Sequence, residues 1–176
     1  TWEGSLALAR LGGFELEALI ESARSKEFKP VPFGVTTSVD ISVDVTAKTT
    51  ANVAAILRGS DAELTEQMLA LSAHHDHFGI GEPDETGDVI YNGALDNGVA
   101  IAQTLAIAGA FSALPERPRR SIMVLFPAVE EQGSLGSRYF ASSGVIHPAR
   151  IVANINIELG NVWGPTSDVI VYGLGK

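Results

Sequence analysis

Four stretches of this 176-residue chain carry side chains that hold cations or move protons. The first is His74-His75-Asp76-His77. On an extended segment, residues two apart face the same way, so His74 and Asp76 share a side. A carboxylate beside a ligating imidazole fixes the ring and raises its basicity. The same four residues also suit a solvent-exposed polar loop. The second stretch is Asn92-Gly93-Ala94-Leu95-Asp96-Asn97-Gly98. Asp96 precedes an apolar, Ala-rich run, where a helix N-terminus favours a carboxylate. By itself Asp96 is an N-cap, and capping does not bar it from binding a metal. The third, Glu130-Glu131, closes an apolar run. Adjacent acids there point in different directions, so one can ligate a cation while its neighbour serves as a base; for an isolated pair a charged turn is the commoner account. The fourth is Glu158, after Asn154-Ile155-Asn156-Ile157, and alone it is a strand-terminal acid.

The surrounding pattern supplies the elements that must position these groups. Phe14, Leu16, Leu19 and Ile20 recur at helical spacing and predict a short amphipathic helix within 14–25. Residues 28–38, with two prolines and a glycine, read as a connection. Val39, Ile41, Val43 and Val45 alternate with polar residues and predict a half-buried strand. Further strands are expected at 52–57, 68–72, 121–129, 151–157 and 169–172, a buried helix at 97–114, and a short helix at 133–142. Residues 79–93 read as an exposed loop. Continuous rather than alternating apolar strands, separated by helices, imply an α/β fold whose sheet is covered on both faces. Three of these strands run directly into the acidic motifs. In open α/β sheets the carboxyl edge is where ligands bind. Acids gathered there would repel one another unless a cation lay among them.

Composition narrows the partners. With a net charge of −9 the chain lacks the basic footprint of a nucleic-acid or anionic-membrane binder. It has no cysteine, so any metal must be held by His, Asp and Glu. No apolar run is read as reaching the roughly 18–20 residues of a membrane span, and no signal peptide opens the chain.

The four motifs together resemble the M28 two-zinc exopeptidases of the aminopeptidase Y and bacterial leucyl aminopeptidase type. AHHDHFG, GALDNGVA, EEQGSLGSRYFA and NINIEL stand in that family's order. The resemblance implies a three-layer αβα sandwich with a mostly parallel central sheet. It divides the chain into a preceding segment, 1–49, beside an absent protease-associated domain, and a partial catalytic domain, 50–176. It implies two Zn2+ ions: His74 and Glu158 on one, Glu131 on the other, Asp96 bridging. Glu130 becomes the general base, and Asp76 holds His74 in its tautomer. His75 and His77 receive no role. The family usually has Asp where Glu158 stands, and related carboxypeptidases and deacylases use Glu, which leaves the attacked end of the peptide open. The family's last ligand, a downstream His, has no counterpart before Lys176, so one site is expected nearly complete and the other half made. The resemblance further implies a peptide substrate and an exported protein. Two other classes share the fold: a single-zinc glutaminyl-cyclase-like acyltransferase and a non-catalytic receptor ectodomain.

Overall fold

The computed structural model describes residues 1–161 and 164–173. It forms two compact units, Thr1–Ala47 and Lys48–Lys176. In the first unit, α1 (Trp2–Leu11) is capped by the Thr1 side chain, which accepts from the Gly4 amide. A short α2 follows (Leu16–Ser22), inside the stretch that the apolar spacing predicts. Ala9 is fully buried, and the rings of Phe14 and Phe33 stack at 5.2 Å. The strand expected from Val39 to Val45 is not formed. Those four side chains are 69–88% exposed, and no strand pairs with the segment among the described residues. Alternation predicts a strand only where one face finds something to cover it.

The second unit is built on a four-stranded sheet. Its strands are β1 (Val53–Leu57), β2 (Met68–Ser72), β5 (Ser121–Phe126) and β6 (Ile151–Asn156), in the spatial order β1-β5-β2-β6. β5 and β6 run parallel to β2, and β1 pairs antiparallel with β5. The sheet is therefore mostly parallel, in an α/β arrangement. The central pair is buried because its runs are continuously apolar. Met68, Ala70, Met123 and Leu125 face Phe140 of α4 (Leu135–Ser142) and Ile146. Burying each of the larger side chains is worth about 1.5–3 kcal/mol. Leu71, Ile122 and Val124 are buried as well, and α3 (Val99–Ser112) packs along β5. A two-residue antiparallel pair, β3 (Gly79–Ile80) and β4 (Ile90–Tyr91), ties the ends of the expected 79–93 loop together.

Four expectations are corrected here. α3 is not a buried helix: only Ala100 and Thr104 are buried, and Leu105 is 54% exposed. Coverage on both faces holds for β2 and β5 but not for the edge strands β1 and β6, where Val53, Ile56, Val152 and Ile155 are about half exposed. No strand forms at 169–172, whose apolar side chains are exposed. Finally, Ala94–Ser112 is long and apolar enough to cross a membrane by length and composition. It carries Asp96 and a non-helical break at Asp96 and Asn97, and it packs against β5.

Candidate metal centre

The parallel strands place three motifs at one edge. Beyond β2 the chain continues through Ala73, whose amide bonds to Leu125 O, and His75, whose amide bonds to Pro127 O. This carries His74 two residues past the strand, buried to 3% exposure. Beyond β6 the Ile157 amide donates to Ser72 O at 2.8 Å, which extends the ladder and brings Glu158 alongside. Asn97, also buried, joins the Asp96 turn to the same strand end. Its side chain donates to Ile157 O at 3.3 Å and accepts from the Leu159 amide at 3.0 Å. Beyond β5, a turn held by Glu130 O accepting from the Gly133 and Ser134 amides presents Glu130 and Glu131. Asn52 clamps that turn to α4, donating to Gly136 O and accepting from the Ala128 amide.

Two clusters result, with Asp96 common to both. One ligand atom from each of His74, Asp96 and Glu158 lies within 4.8 Å of the others, and the same holds for His77, Asp96 and Glu131. His74 Nε2 is 3.1 Å from Asp96 Oδ1 and 3.1 Å from Glu158 Oε1. Asn156 donates to the other Glu158 oxygen at 3.2 Å and in turn accepts from Ser72 at 2.8 Å. In the second cluster His77 Nδ1 is 2.5 Å from Glu131 Oε1. Sequence reasoning left His77 without a role and the second cluster with two groups; the structure puts three there. Extended geometry pairs His77 with His75, but the chain turns after β2 and sends only His77 inward. His75 instead bonds to Ala51 O.

Asp76 acts through different atoms from those expected. Its main-chain carbonyl, at 3.1 Å, accepts from His74 Nδ1, while the nearer carboxylate oxygen is 3.7 Å away. The carboxylate accepts from the Glu130 amide at 2.9 Å, so Asp76 links the imidazole to the neighbouring acid pair. Glu130 itself accepts from Ser134 Oγ at 3.3 Å. Glu130, His74 and Glu158 line one cavity with Ser72, Asn154 and Asn156, and among the described residues no Lys or Arg lines it.

The donor set fits a divalent cation. With Nδ1 donating to a carbonyl, neutral His74 turns the Nε2 lone pair toward two carboxylate oxygens. Asp96 Oδ1 is buried with no hydrogen-bond partner. A lone pair and two anions stand together only with a positive charge among them, either a proton on the ring or a metal. Burial of the ring opposes its charge. The Glu158 charge and hydrogen bond, the Asp76 carbonyl and Glu130 outweigh it and raise His74 above its ordinary value. Nitrogen and oxygen donors without thiolate are the ligand chemistry of zinc in hydrolytic sites.

Residues 52–175 match the model of peptidase family M28. Among solved structures, the chain is similar to a peptidase M28 precursor from Shewanella amazonensis, at 32% identity and a TM-score of 0.42. That likeness covers 56% of this chain and 19% of the other, so it spans about a fifth of that protein's length. Among curated proteins, none matches.

Proposed function

The chain belongs to peptidase family M28, and from that premise we propose that it is the metal-binding part of a zinc exopeptidase acting as an aminopeptidase. The observation that carries this reading is the pair of His-and-carboxylate clusters sharing Asp96 at one sheet edge. His74, Asp96 and Glu158 would hold one zinc, and Asp96 and Glu131 would hold the other. Two such ions would polarise the scissile carbonyl and bring the pKa of water toward neutrality.

The chain's own residues do the rest. Glu130 lines the cavity beside the first cluster, with its amide fixed by Asp76 and its carboxylate by Ser134. From there it takes the proton of the attacking water and delivers it to the departing amine. Asp76 keeps the His74 ring oriented through its carbonyl. The acids around the cavity, with no Lys or Arg beside them among the described residues, favour a substrate with a free α-ammonium over one with a free α-carboxylate. That supports the aminopeptidase mode over the carboxypeptidase mode that Glu158 leaves open.

Zinc content and turnover of aminoacyl-nitroanilides and of carboxy-terminal blocked and free peptides test the reading together. Two zincs per chain and release of amino-terminal residues are expected. A protein that binds no zinc, or that releases carboxy-terminal residues, overturns it.

A further inference from the structure

The two acids of the third motif are separated by a backbone twist just before them. Val129 has φ +57, in the left-handed region. A β-branched residue there is an outlier, and such a conformation persists only where the surroundings over-determine it. Ser134, at the far end of the same turn, is also left-handed, at φ +59. Between the two, Glu130 reaches the cavity that His74 lines, while Glu131 joins the second cluster.

Val129 is held from both sides. After it, the Glu130 amide donates to Asp76 at 2.9 Å, and Val129 O accepts from the Leu135 amide at 3.0 Å. Before it, Ala128 belongs to a closed ring of three hydrogen bonds. The Ala128 amide donates to Asn52 Oδ1 at 3.0 Å, Asn52 Nδ2 donates to Gly136 O at 2.8 Å, and the Gly136 amide donates to Ala128 O at 2.9 Å. Asn52 stands one place before β1, whose Val53 lies opposite Phe126. The next residue of the facing strand is Pro127, which has no N–H to give. The following amide, that of Ala128, is therefore taken up by a side chain where a main chain would otherwise serve.

We propose that Asn52 is the positioning residue of the general base: by locking Ala128 it keeps Val129 left-handed, and so keeps Glu130 in the cavity beside His74. This rests on the reading of Glu130 as the base. Asn52 stands outside that cavity, so it acts on turnover and not on substrate binding.

Crystal structures and kinetics of Asn52→Ala test this by separate routes. In the crystal, Val129 should leave the left-handed region and the Glu130 carboxylate should leave the cavity. That readout needs no turnover. At saturating zinc, kcat should fall about 5–30-fold, the population ratio that the left-handed region costs a residue with a Cβ, while KM stays at the wild-type value. In a Val129→Gly background the same substitution should cost less than about threefold, because glycine takes a positive φ without support. A residue that only stabilised the fold would lower the denaturation midpoint and leave kcat per zinc-loaded chain unchanged in either background. Asn52→Asp keeps the acceptor for Ala128 and loses the donor to Gly136, and it gives the same readings if the alanine variant does not fold. An unchanged Val129 φ, or an equal loss of kcat in both backgrounds, overturns the proposal. Full turnover in Glu130→Gln, with Val129 displaced in Asn52→Ala, overturns the reading of the base and leaves the clamp standing.

Discussion

The two clusters differ in how they are built. The first sits at the ends of hydrogen-bonded strands. His74 is buried beyond β2, Glu158 is braced through Asn156 and Ser72, and Asn97 ties the Asp96 turn to the end of β6. The second is made by loops and a glycine turn that bring His77 and Glu131 into contact. Strand ends hold a ligand wherever the ladder is intact. Loops hold one only while each turn keeps its backbone shape. The first cluster should therefore tolerate changes in loops that disable the second, and the reverse should hold for changes along β6.

The largest effect should come from the group that belongs to neither cluster. Glu130→Gln keeps the shape and removes the proton acceptor, so turnover should fall about 10²–10⁴-fold while zinc content stays at wild-type level. Glu131→Gln should instead lower zinc content. Equal zinc loss in both variants would mean that the pair divides its work the other way.

Gly136→Ala probes the loop-built side. An added Cβ would stand 2.1 Å from Ala128 O and 2.5 Å from Asn52 Oδ1. Overpacking of this kind costs about 1–3 kcal/mol, and the turn carrying Glu130 and Glu131 must shift. Chemical denaturation should show the loss, and metal titration should show the second ion weakened more than the first. Equal weakening of both would dissolve the distinction between strand-built and loop-built sites.

Asn156→Ala probes the strand-built side. It removes the donor to Glu158 and the acceptor for Ser72, and the first ion should bind about tenfold more weakly. Isothermal titration resolves this, and an unchanged first affinity would show that Glu158 needs no support.

The smallest effect lies away from both clusters. Asp61 accepts from the Leu64 amide, Arg119 and the Glu63 amide, which together lower its pKa to about 2. A lowered folded pKa contributes stability above the ordinary carboxylate value of about 3.9 and loses it as pH falls toward about 2. Asp61→Asn should thus be slightly less stable near neutral pH and converge on wild type as the pH falls below about 2. The pair lies at the surface, where solvent screens it, so the gap is small. A gap that persists in acid would show that it is not the charge that stabilises.

What the sequence made legible follows the same division. The run 68–72 is a strand to the residue, because a central strand buried on both sides must be continuously apolar. The end of β6 next to Glu158 was readable for the same reason, but β5 stops at Phe126 rather than at 129, so Glu131 stands in the turn beyond the strand and not at its end. His77 was not, because its approach depends on a turn after Ala73 and on the space left by Gly93, neither of which has a period in sequence. Val39 to Val45 show the converse: a clear period with no face covered, and no strand.

Zinc-edge anomalous diffraction from crystals of the protein grown with zinc tests the central claim most directly. Two peaks are expected at the carboxyl edge of the sheet, one among His74, Asp96 and Glu158 and one beside Asp96 and Glu131. No peak at that edge, or a single ion that leaves Glu131 without contact, would contradict the account.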